Sequence, residues 1–317
     1  MPAEVRAVID VGTNSVKFLV ATVEGAVVRP IDEGSEQTRL GQGFYETQRL
    51  QPEPIRQTAR AVAEFAEKAR VWKPASVRVV ATSAARDAAN AEELIGAIGR
   101  ECGLPVEVIS GEQEADWAFE GVSSDPALGD RPILAIDIGG GSTEFTCGRK
   151  GQRSFGRSFK LGTVRFLERN AVSDPPRAED LQRCIAQARD VLSTEVEPAL
   201  TSAIAQFGET PRFISTGGTS TIMARIHLRL RTFRRDLIDG AEMTSAEVRA
   251  MVEQLWGMSL AARQNLIGLP PNRADVILPG VVFVGEVMNI FSLATMRVST
   301  RGLRFGALMH PQDAGVL

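Results

Sequence analysis

Residues 134–145 read LAIDIGGGSTEF and residues 7–18 read AVIDVGTNSVKF, so one pattern occurs twice with an offset of 127 positions. Each copy begins with a continuous apolar run, which is typical of a strand buried on both faces. An Asp stands at the end of that run, a Gly follows two residues later, and a second strand begins near Ser. We therefore expect two homologous strand–turn–strand units, and this repeat determines the predicted fold.

The turns have the composition of phosphate-binding loops. Glycine lets the backbone turn tightly and lets N–H groups approach an anion, and an Asp beside it can hold a divalent cation that bridges to the anion. The three consecutive glycines of the second copy are the stronger signal, whereas an Asp-x-Gly turn such as that at Asp10 is equally typical of a plain strand end. The predicted phosphate-binding residues are Gly12, Thr13, Asn14, Ser15, Gly139, Gly140, Gly141, Ser142 and Thr143.

Length and composition are those of a globular protein with room for two domains. The chain has 317 residues, of which 44% are hydrophobic and 24% charged. Its net charge of −3 gives no support for a nucleic-acid partner. The 31 Arg against 5 Lys suit bidentate phosphate binding, although genome composition is the simpler explanation.

The few Cys and His residues indicate the redox compartment of the protein and exclude some classes of hydrolase. Cys102, Cys147 and Cys184 show no paired spacing, which favours a reducing compartment. With His227 and His310 as the only histidines, a His-based zinc hydrolase and most Ser-His-Asp hydrolases are excluded. Neither a signal peptide nor an apolar run of ~18 residues is found. We therefore predict a cytoplasmic protein without a membrane partner, whose acid–base chemistry depends on carboxylates.

Each repeat is predicted to begin a block of three strands. The first block covers 5–11, 16–23 and 26–37, and the second covers 133–138, 142–148 and 153–159. Helices are predicted at 52–72, 91–100, 110–122, 163–169, 177–197 and 276–291, with further strands at 77–81, 105–109, 213–215 and 297–299. A turn is predicted at Gly217 and Gly218, and the stretch 123–132 is predicted to connect two domains.

With these motifs together, the sequence resembles the exopolyphosphatase / guanosine pentaphosphate phosphohydrolase family, part of the superfamily of acetate–sugar kinases, heat-shock chaperone ATPases and actin. The matching segments follow the family's order and are 9–15, 81–86, 109–115, 136–144, 161–165, 217–219, 273–276 and 302–304. The resemblance implies an α/β fold with two ribonuclease-H-like (actin/acetate–sugar kinase-like) domains around an interdomain cleft. The expected domains are 1–127, joined by a C-terminal helix at about 300–317, and 128–299.

The resemblance also implies roles for individual residues. Glu114 matches the family's catalytic glutamate, which orients or deprotonates a water, and Arg86 matches the arginine that faces the transferred phosphoryl group. Asp137 and Glu144 match the magnesium-associated carboxylates, and Asp10 is a further candidate ligand. The expected cofactor is Mg²⁺, with Mn²⁺ as an alternative. The competing interpretations are a capping-box glutamate for Glu114 and a surface arginine for Arg86.

Substrate contacts are less well defined by the sequence. The candidates are Lys17, Arg39, Arg165, Gly217, Gly218, Arg225 and Arg273. The run 225–235 contains five Arg, which suits successive phosphates of a linear polyanion; the alternative is a solvated face neutralised by Asp236, Asp239 and Glu242. Gln113 departs from the family pattern, which usually has a second glutamate there.

The expected function is a magnesium-dependent exopolyphosphatase that hydrolyses the terminal phosphoanhydride of inorganic polyphosphate. The first alternative is hydrolysis of guanosine pentaphosphate at its 5′ end. An ATP-dependent kinase and a non-catalytic alarmone or nucleotide sensor are further alternatives. Longer family members carry an additional helical domain, so this chain is expected to handle short polyphosphates better than very long ones. The apolar helices at 177–197 and 276–291 are assigned to the core or to a homodimer contact.

Overall fold

The structure, a computed structural model, describes residues 3–310. Its strands are β1 (Glu4–Val11), β2 (Val16–Glu24), β3 (Val27–Glu36), β4 (Ser76–Ala81), β5 (Val106–Val108), β6 (Ile133–Ile138), β7 (Thr143–Arg149), β8 (Gln152–Phe159), β9 (Arg212–Thr216), β10 (Glu242–Thr244) and β11 (Thr295–Val298). The two predicted blocks of three strands are confirmed as β1–β3 and β6–β8.

The helices follow the predicted apolar periodicity in most places. They are α1 (Phe44–Thr47), α2 (Pro52–Arg70), α3 (Ser83–Asp87), α4 (Ala91–Cys102), α5 (Gly111–Ser123), α6 (Thr163–Arg169), α7 (Ala178–Val191), α8 (Glu197–Ala205), α9 (Gly217–His227), α10 (Arg235–Ile238), α11 (Ser245–Trp256), α12 (Leu260–Gln264), α13 (Ile277–Ile290) and α14 (Leu303–Met309). A π-helical turn, Leu192–Val196, joins α7 to α8. No helix within residues 3–310 is long and apolar enough to span a bilayer.

The chain divides into two compact units whose first four strands are connected in the same way. Within the described residues, unit 1 comprises 3–125 and 302–310, and unit 2 comprises 126–301. The strand order is β3-β2-β1-β4-β5 in unit 1 and β10-β11-β9-β6-β7-β8 in unit 2. In each unit three antiparallel strands come first, and the fourth strand pairs parallel to the first. β5 then pairs parallel to β4 in unit 1, whereas in unit 2 β11 pairs parallel to β9 and β10 pairs antiparallel to β11. The predicted α/β fold of two ribonuclease-H-like units is thereby confirmed.

The last helix, α14, completes the core of unit 1. Its Leu303, Phe305 and Leu308 are buried in the same apolar cluster as residues of β1 and β2. α14 packs closely on α5, because a Cβ at Gly306 would stand 2.1 Å from the Trp117 carbonyl oxygen. That separation is shorter than the non-bonded contacts of real Cβ atoms, so glycine is required at this crossing.

The structure differs from the sequence prediction in several local features. Gly217 and Gly218 begin helix α9 instead of forming a turn, because Gly217 takes a left-handed φ of 89° and the chain then coils directly. The short helix α3 and the edge strand β10 were not predicted, since five residues and three residues are too few to show a period.

The entry to α7 is held by one carboxylate. Asp180 Oδ2 accepts hydrogen bonds from the Ser173 hydroxyl, the Ser173 amide and the Arg177 amide. These hydrogen bonds, led by that of the hydroxyl, lower the pKa of Asp180 to about 2. They stabilise the ionised carboxylate, so they also stabilise the folded state relative to the unfolded chain wherever Asp180 is ionised.

We predict that Gly306→Ala destabilises the protein by about 1–3 kcal/mol, because the added methyl group collides with the α5 backbone. Urea unfolding measures the change. Gly99→Ala in α4 is the matched control, since a Cβ there meets nothing within 4 Å, and we expect it to be neutral or slightly stabilising. Equal stability of Gly306→Ala and wild type would contradict the close crossing of α14 and α5.

We predict that Asp180→Asn reduces the acid sensitivity of folding. The pKa of Asp180 is depressed from 3.8 to about 2, so its contribution to stability is present above pH 3.8 and is lost as the pH falls towards 2. Unfolding free energies measured across that range should fall less steeply in Asp180→Asn than in wild type. Glu179→Gln, at the exposed neighbouring position, should retain the wild-type slope; a wild-type slope in both variants would contradict the prediction.

Candidate active site

The first repeated turn joins β1 to β2 in unit 1. The Gly12 N–H donates to the Ser15 carbonyl over 3.0 Å and closes the turn. A Cβ at Gly12 would stand 3.1 Å from that carbonyl oxygen, so a larger residue would crowd the loop. Asp10 lies opposite Lys17 in the antiparallel pair, and directly opposed side chains point to the same face of a sheet. The turn therefore carries a carboxylate and an ammonium on one face.

The second turn, between β6 and β7 in unit 2, repeats this geometry. The Gly139 N–H donates to the Ser142 carbonyl over 2.9 Å, and a Cβ at Gly139 would stand 3.0 Å from the same oxygen. Asp137 lies opposite Glu144. The sequence repeat is thus a structural repeat, but its cross-strand pair is Asp–Glu here and Asp–Lys in unit 1.

The carbonyls of the glycine turn, Gly139–Gly141, all accept hydrogen bonds from the start of α6. The first two accept from the backbone N–H groups of Thr163–Arg165 over 2.9–3.1 Å, and the third accepts from Arg165 Nε over 2.7 Å. In a planar trans peptide the N–H points opposite to the C=O. The amides of residues 140–142 therefore point away from α6.

The turn of unit 1 has its carbonyls occupied in a comparable way. The Thr13 carbonyl accepts from the Gly41 amide over 2.7 Å, and the Asn14 carbonyl accepts from the Arg39 amide over 3.1 Å. By the same peptide geometry, the amides of Asn14 and Ser15 point away from the segment 39–41. The Ser15 hydroxyl is buried and has no hydrogen-bond partner within residues 3–310. A buried polar atom of this kind needs a water or a ligand.

Three predicted phosphate-binding residues shape the turns instead of offering a donor. The amides of Gly12 and Gly139 are used in closing the turns. Thr143 is buried, and its hydroxyl donates to the Leu161 carbonyl. With these donors in use, the tip amides are the candidate phosphate donors of each turn.

The carboxylates of Asp137 and Glu144 are held in fixed positions on one face of the unit 2 sheet. Glu144 is 2% exposed, and its Oε1 accepts from the Ser142 hydroxyl at 2.8 Å and the Ser158 hydroxyl at 2.7 Å. Gly217 makes room for Asp137, because a Cβ at Gly217 would stand 2.3 Å from Asp137 Oδ1.

This donor set fits a hard divalent cation that is bound together with a phosphate. Mg²⁺ prefers oxygen ligands, keeps several waters, and is usually held by one or two carboxylates plus substrate phosphates; Mn²⁺ accepts the same ligands. Residues 3–310 contain no group of three or more His, Cys, Asp or Glu side chains arranged to hold a metal. Asp137 and Glu144 would therefore need phosphate oxygens and water to complete the coordination.

Asp10, also predicted as a metal ligand, has a different electrostatic setting. Burial raises the pKa of Asp10, while the nearby cations Lys17 and Arg304 act in the lowering direction. Arg304 comes from α14, and its Nη1 donates to the Phe18 carbonyl over 2.8 Å. Arg304 Nη1 also lies 3.8 Å from Glu33 Oε2, so its charge is shared with a second carboxylate. The ammonium of Lys17, directly opposite Asp10, is what favours an anion over a divalent metal at this turn.

The two predicted catalytic residues, Glu114 and Arg86, are in direct contact. Arg86 Nη1 donates to Glu114 Oε2 over 2.8 Å and to the Ile109 carbonyl over 3.1 Å. Glu114 is 9% exposed. The capping interpretation of Glu114 is wrong, because Ser110 caps α5 by accepting from the Gln113 amide, which makes Gln113 the third helical residue.

The predicted substrate contacts of unit 2 lie in separate places. Gly217 and Gly218 form the start of α9 beside Asp137, whereas Arg225 lies in the last turn of that helix. Arg165 is buried and holds the glycine turn through its Nε. Arg273 is half-buried in a 3₁₀ turn at Pro271–Arg273. Of these, Gly217 adjoins the Asp137 side chain and Arg165 binds the glycine turn.

Two residues important for this geometry were given no role by the sequence reasoning. Ser158 holds Glu144 from β8, and no local pattern distinguishes it from other strand serines. Gly162 allows α6 to approach the glycine turn, because a Cβ there would stand 2.4 Å from the Gly140 carbonyl oxygen. Gly162 lies in the segment 161–165, which matches a family motif, and this match is the signal that could have identified it.

Comparisons with known proteins identify the family and agree with the fold. A model of the Ppx/GppA phosphatase family matches residues 19–313. Exopolyphosphatase 2 of Mycobacterium tuberculosis is 32% identical over 290 residues, which cover 89% of this chain and 89% of that protein. An exopolyphosphatase structure from Cytophaga hutchinsonii aligns with a TM-score of 0.85 at 26% identity and covers 96% of both chains. The Aquifex aeolicus member of the Ppx/GppA family aligns with a TM-score of 0.77 at 29% identity over 97% of both chains.

We predict that Gly162→Ala displaces the glycine turn from α6 and destabilises unit 2 by about 1–3 kcal/mol. The amides of Thr163–Arg165 lose their acceptors, so their hydrogen exchange should accelerate. Gly285→Ala is the matched control, because the nearest atom to a Cβ there is 3.8 Å away. Unchanged exchange at 163–165 in Gly162→Ala would contradict the proposed contact.

Proposed function

The chain belongs to the Ppx/GppA phosphatase family, and we propose that it is an exopolyphosphatase that releases orthophosphate from the end of inorganic polyphosphate. The observation that carries this proposal is the Arg86–Glu114 pair at the start of α5. A buried carboxylate beside a guanidinium is suited to activating a water next to a phosphoryl group. Relatives named as exopolyphosphatases, among them Exopolyphosphatase 2 of Mycobacterium tuberculosis, support the choice of substrate.

The turns of both units would bind phosphate through their backbone. The amides of residues 14–15 and of residues 140–142 point away from the segments that occupy the turn carbonyls. Fixed N–H dipoles stabilise the charge on non-bridging phosphate oxygens, and they require no reorganisation during the reaction. In unit 1, Lys17 lies on the same face as the turn's Asp10 and adds a positive charge for the same anion. Phosphoryl transfer depends mainly on positioning and electrostatics of this kind.

In unit 2, Asp137 and Glu144 would hold Mg²⁺ together with phosphate oxygens. The bound cation would draw negative charge away from the phosphate groups. Ser142 and Ser158 keep the Glu144 carboxylate oriented before any ligand arrives. Preorganised ligands of this kind reduce the reorganisation needed on binding.

Glu114 would accept the proton of the attacking water. The water oxygen forms a bond to the terminal phosphorus, the bridging P–O bond breaks, and its electron pair leaves with the shortened chain. The proton passes to the Glu114 carboxylate, and the product is orthophosphate. Arg86 would hold Glu114 in place and face the non-bridging oxygens of the phosphoryl group, because a guanidinium has donors enough for both.

We predict that Glu114→Gln lowers kcat for orthophosphate release from polyphosphate by roughly 10²-fold or more, since a general base typically contributes 10²–10⁴-fold. Glu112→Gln is the matched control. Glu112 is exposed and lies in the first turn of α5, as Glu114 does, so this variant should keep near-normal kcat. Near-normal turnover in Glu114→Gln would remove Glu114 from the role of base.

The same assay separates the alternative substrates and activities. Magnesium-dependent release of orthophosphate is measured on polyphosphate, guanosine pentaphosphate and ATP in parallel. The proposal requires the highest kcat/KM on polyphosphate without any phosphoryl acceptor. A preference for guanosine pentaphosphate would assign the site to the alarmone, and acceptor-dependent consumption of ATP would indicate a kinase.

A further inference from the structure

A basic segment of unit 2 lies outside the site described above. The run 225–235 holds five Arg and no acidic residue. The whole chain has 36 Lys and Arg, so the remainder has 31 against 39 Asp and Glu. A concentrated positive surface on an otherwise acidic chain calls for a specific explanation.

Two of the five arginines are occupied by neighbours. Arg234 forms a bidentate ion pair with Asp236, at 3.0 and 2.8 Å. Arg235 donates to the Thr300 carbonyl and lies over the Phe233 ring at 5.7 Å. The other three, Arg225, Arg229 and Arg231, make no ion pair with a carboxylate of residues 3–310. Neutralisation by nearby acidic residues therefore accounts for Arg234, but it does not account for Arg225, Arg229 and Arg231.

The three unneutralised arginines are gathered at the end of α9. The Arg225 carbonyl accepts from the Leu230 amide over 2.8 Å, and the Ile226 carbonyl accepts from the Arg229 amide over 3.1 Å. Arg225 Nη2 donates to the Arg231 carbonyl over 2.8 Å. These bonds fold 225–231 into one compact turn, which carries the half-buried Arg225 and the exposed Arg229 and Arg231.

Arg225 has the features of a cation that lacks its anion. Its Nε is buried without a hydrogen-bond partner, and burial lowers the pKa of Arg225. A desolvated charge is unfavourable until a counter-charge is bound. The helix dipole accounts for one cation in the last turn of α9, but Arg229 and Arg231 follow the end of the helix.

This turn is remote from Asp137 within unit 2. The first residue of α9, Gly217, adjoins Asp137 Oδ1, and Arg225 lies in the last turn of the same 11-residue helix. A helix of that length spans about 16 Å. One phosphate group cannot occupy both places, whereas a linear polymer of phosphates can.

We propose that Arg225, Arg229 and Arg231 form a second anion-binding site, which binds internal phosphates of a polyphosphate chain. The proposal rests on the proposed function for the identity of the polymer. Arg matches phosphate oxygens bidentately, and a second site on one chain raises affinity through effective concentration. A nucleic acid fits less well, because a base needs an aromatic platform, and Phe233, the aromatic residue of the run, is already covered by Arg235. Long chains should thus bind better than short ones, contrary to the expectation from the sequence.

The test compares Arg229→Glu/Arg231→Glu with wild type on long-chain polyphosphate and on tripolyphosphate. We expect KM for the long chain to rise about tenfold or more, since one hydrogen bond between charged groups corresponds to roughly that factor. The kcat on both substrates and the KM for tripolyphosphate should stay near wild type. The matched control is Arg169→Glu/Arg249→Glu, which makes the same charge change at exposed positions of unit 2.

Equilibrium binding of long-chain polyphosphate to the Glu114→Gln protein, with single-stranded RNA as competitor, completes the test. Equal changes in the test and control variants would overturn the site, since bulk charge would explain both. Displacement by RNA at equal phosphate concentration would overturn the assignment to polyphosphate. If wild type released no orthophosphate but bound long chains through Arg229 and Arg231, the proposed function would fail and the site would stand.

Discussion

The occupation of turn carbonyls by neighbouring donors is the constraint on which both candidate phosphate sites depend. A peptide unit cannot present its carbonyl and its amide to the same side, so a turn whose carbonyls are held offers its N–H groups to a ligand. In unit 2 the amides at the start of α6 and the Arg165 side chain hold them. In unit 1 the turn segment 39–41, in which Arg39 has a φ of 51°, does so. The two copies therefore reach one arrangement with different partners.

The duplicated turns have diverged in charge while keeping their shape. The position opposite the repeated Asp holds Lys17 in unit 1 and Glu144 in unit 2. With an ammonium opposite its Asp, the first turn suits direct contact with phosphate. The second has two carboxylates and suits a metal ion. One loop geometry thus carries two different charge arrangements in the two units.

The sequence predicted backbone features better than side-chain roles. The strands were predictable because continuous apolar runs and the repeat itself are strong local signals. The Arg86–Glu114 contact joins two residues that the family motifs had singled out. The use of the Gly12 and Gly139 amides in closing the turns was not, since hydrogen bonding depends on three-dimensional direction. Ser158 was missed for the same reason: its contact with Glu144 arises from strand pairing across 14 residues. Short elements such as β10 offered too few residues for any period to appear.

The position of α14 has a consequence for biosynthesis. Unit 1 needs Leu303, Phe305 and Leu308 for its core, yet the ribosome makes them only after all of unit 2. Unit 2 is one uninterrupted stretch, so it can finish folding as it emerges, whereas an apolar surface of the nascent first unit stays uncovered until α14 has been synthesised. Such distant contacts fold slowly and expose the chain to aggregation. The half that is synthesised first is therefore the half that is completed last.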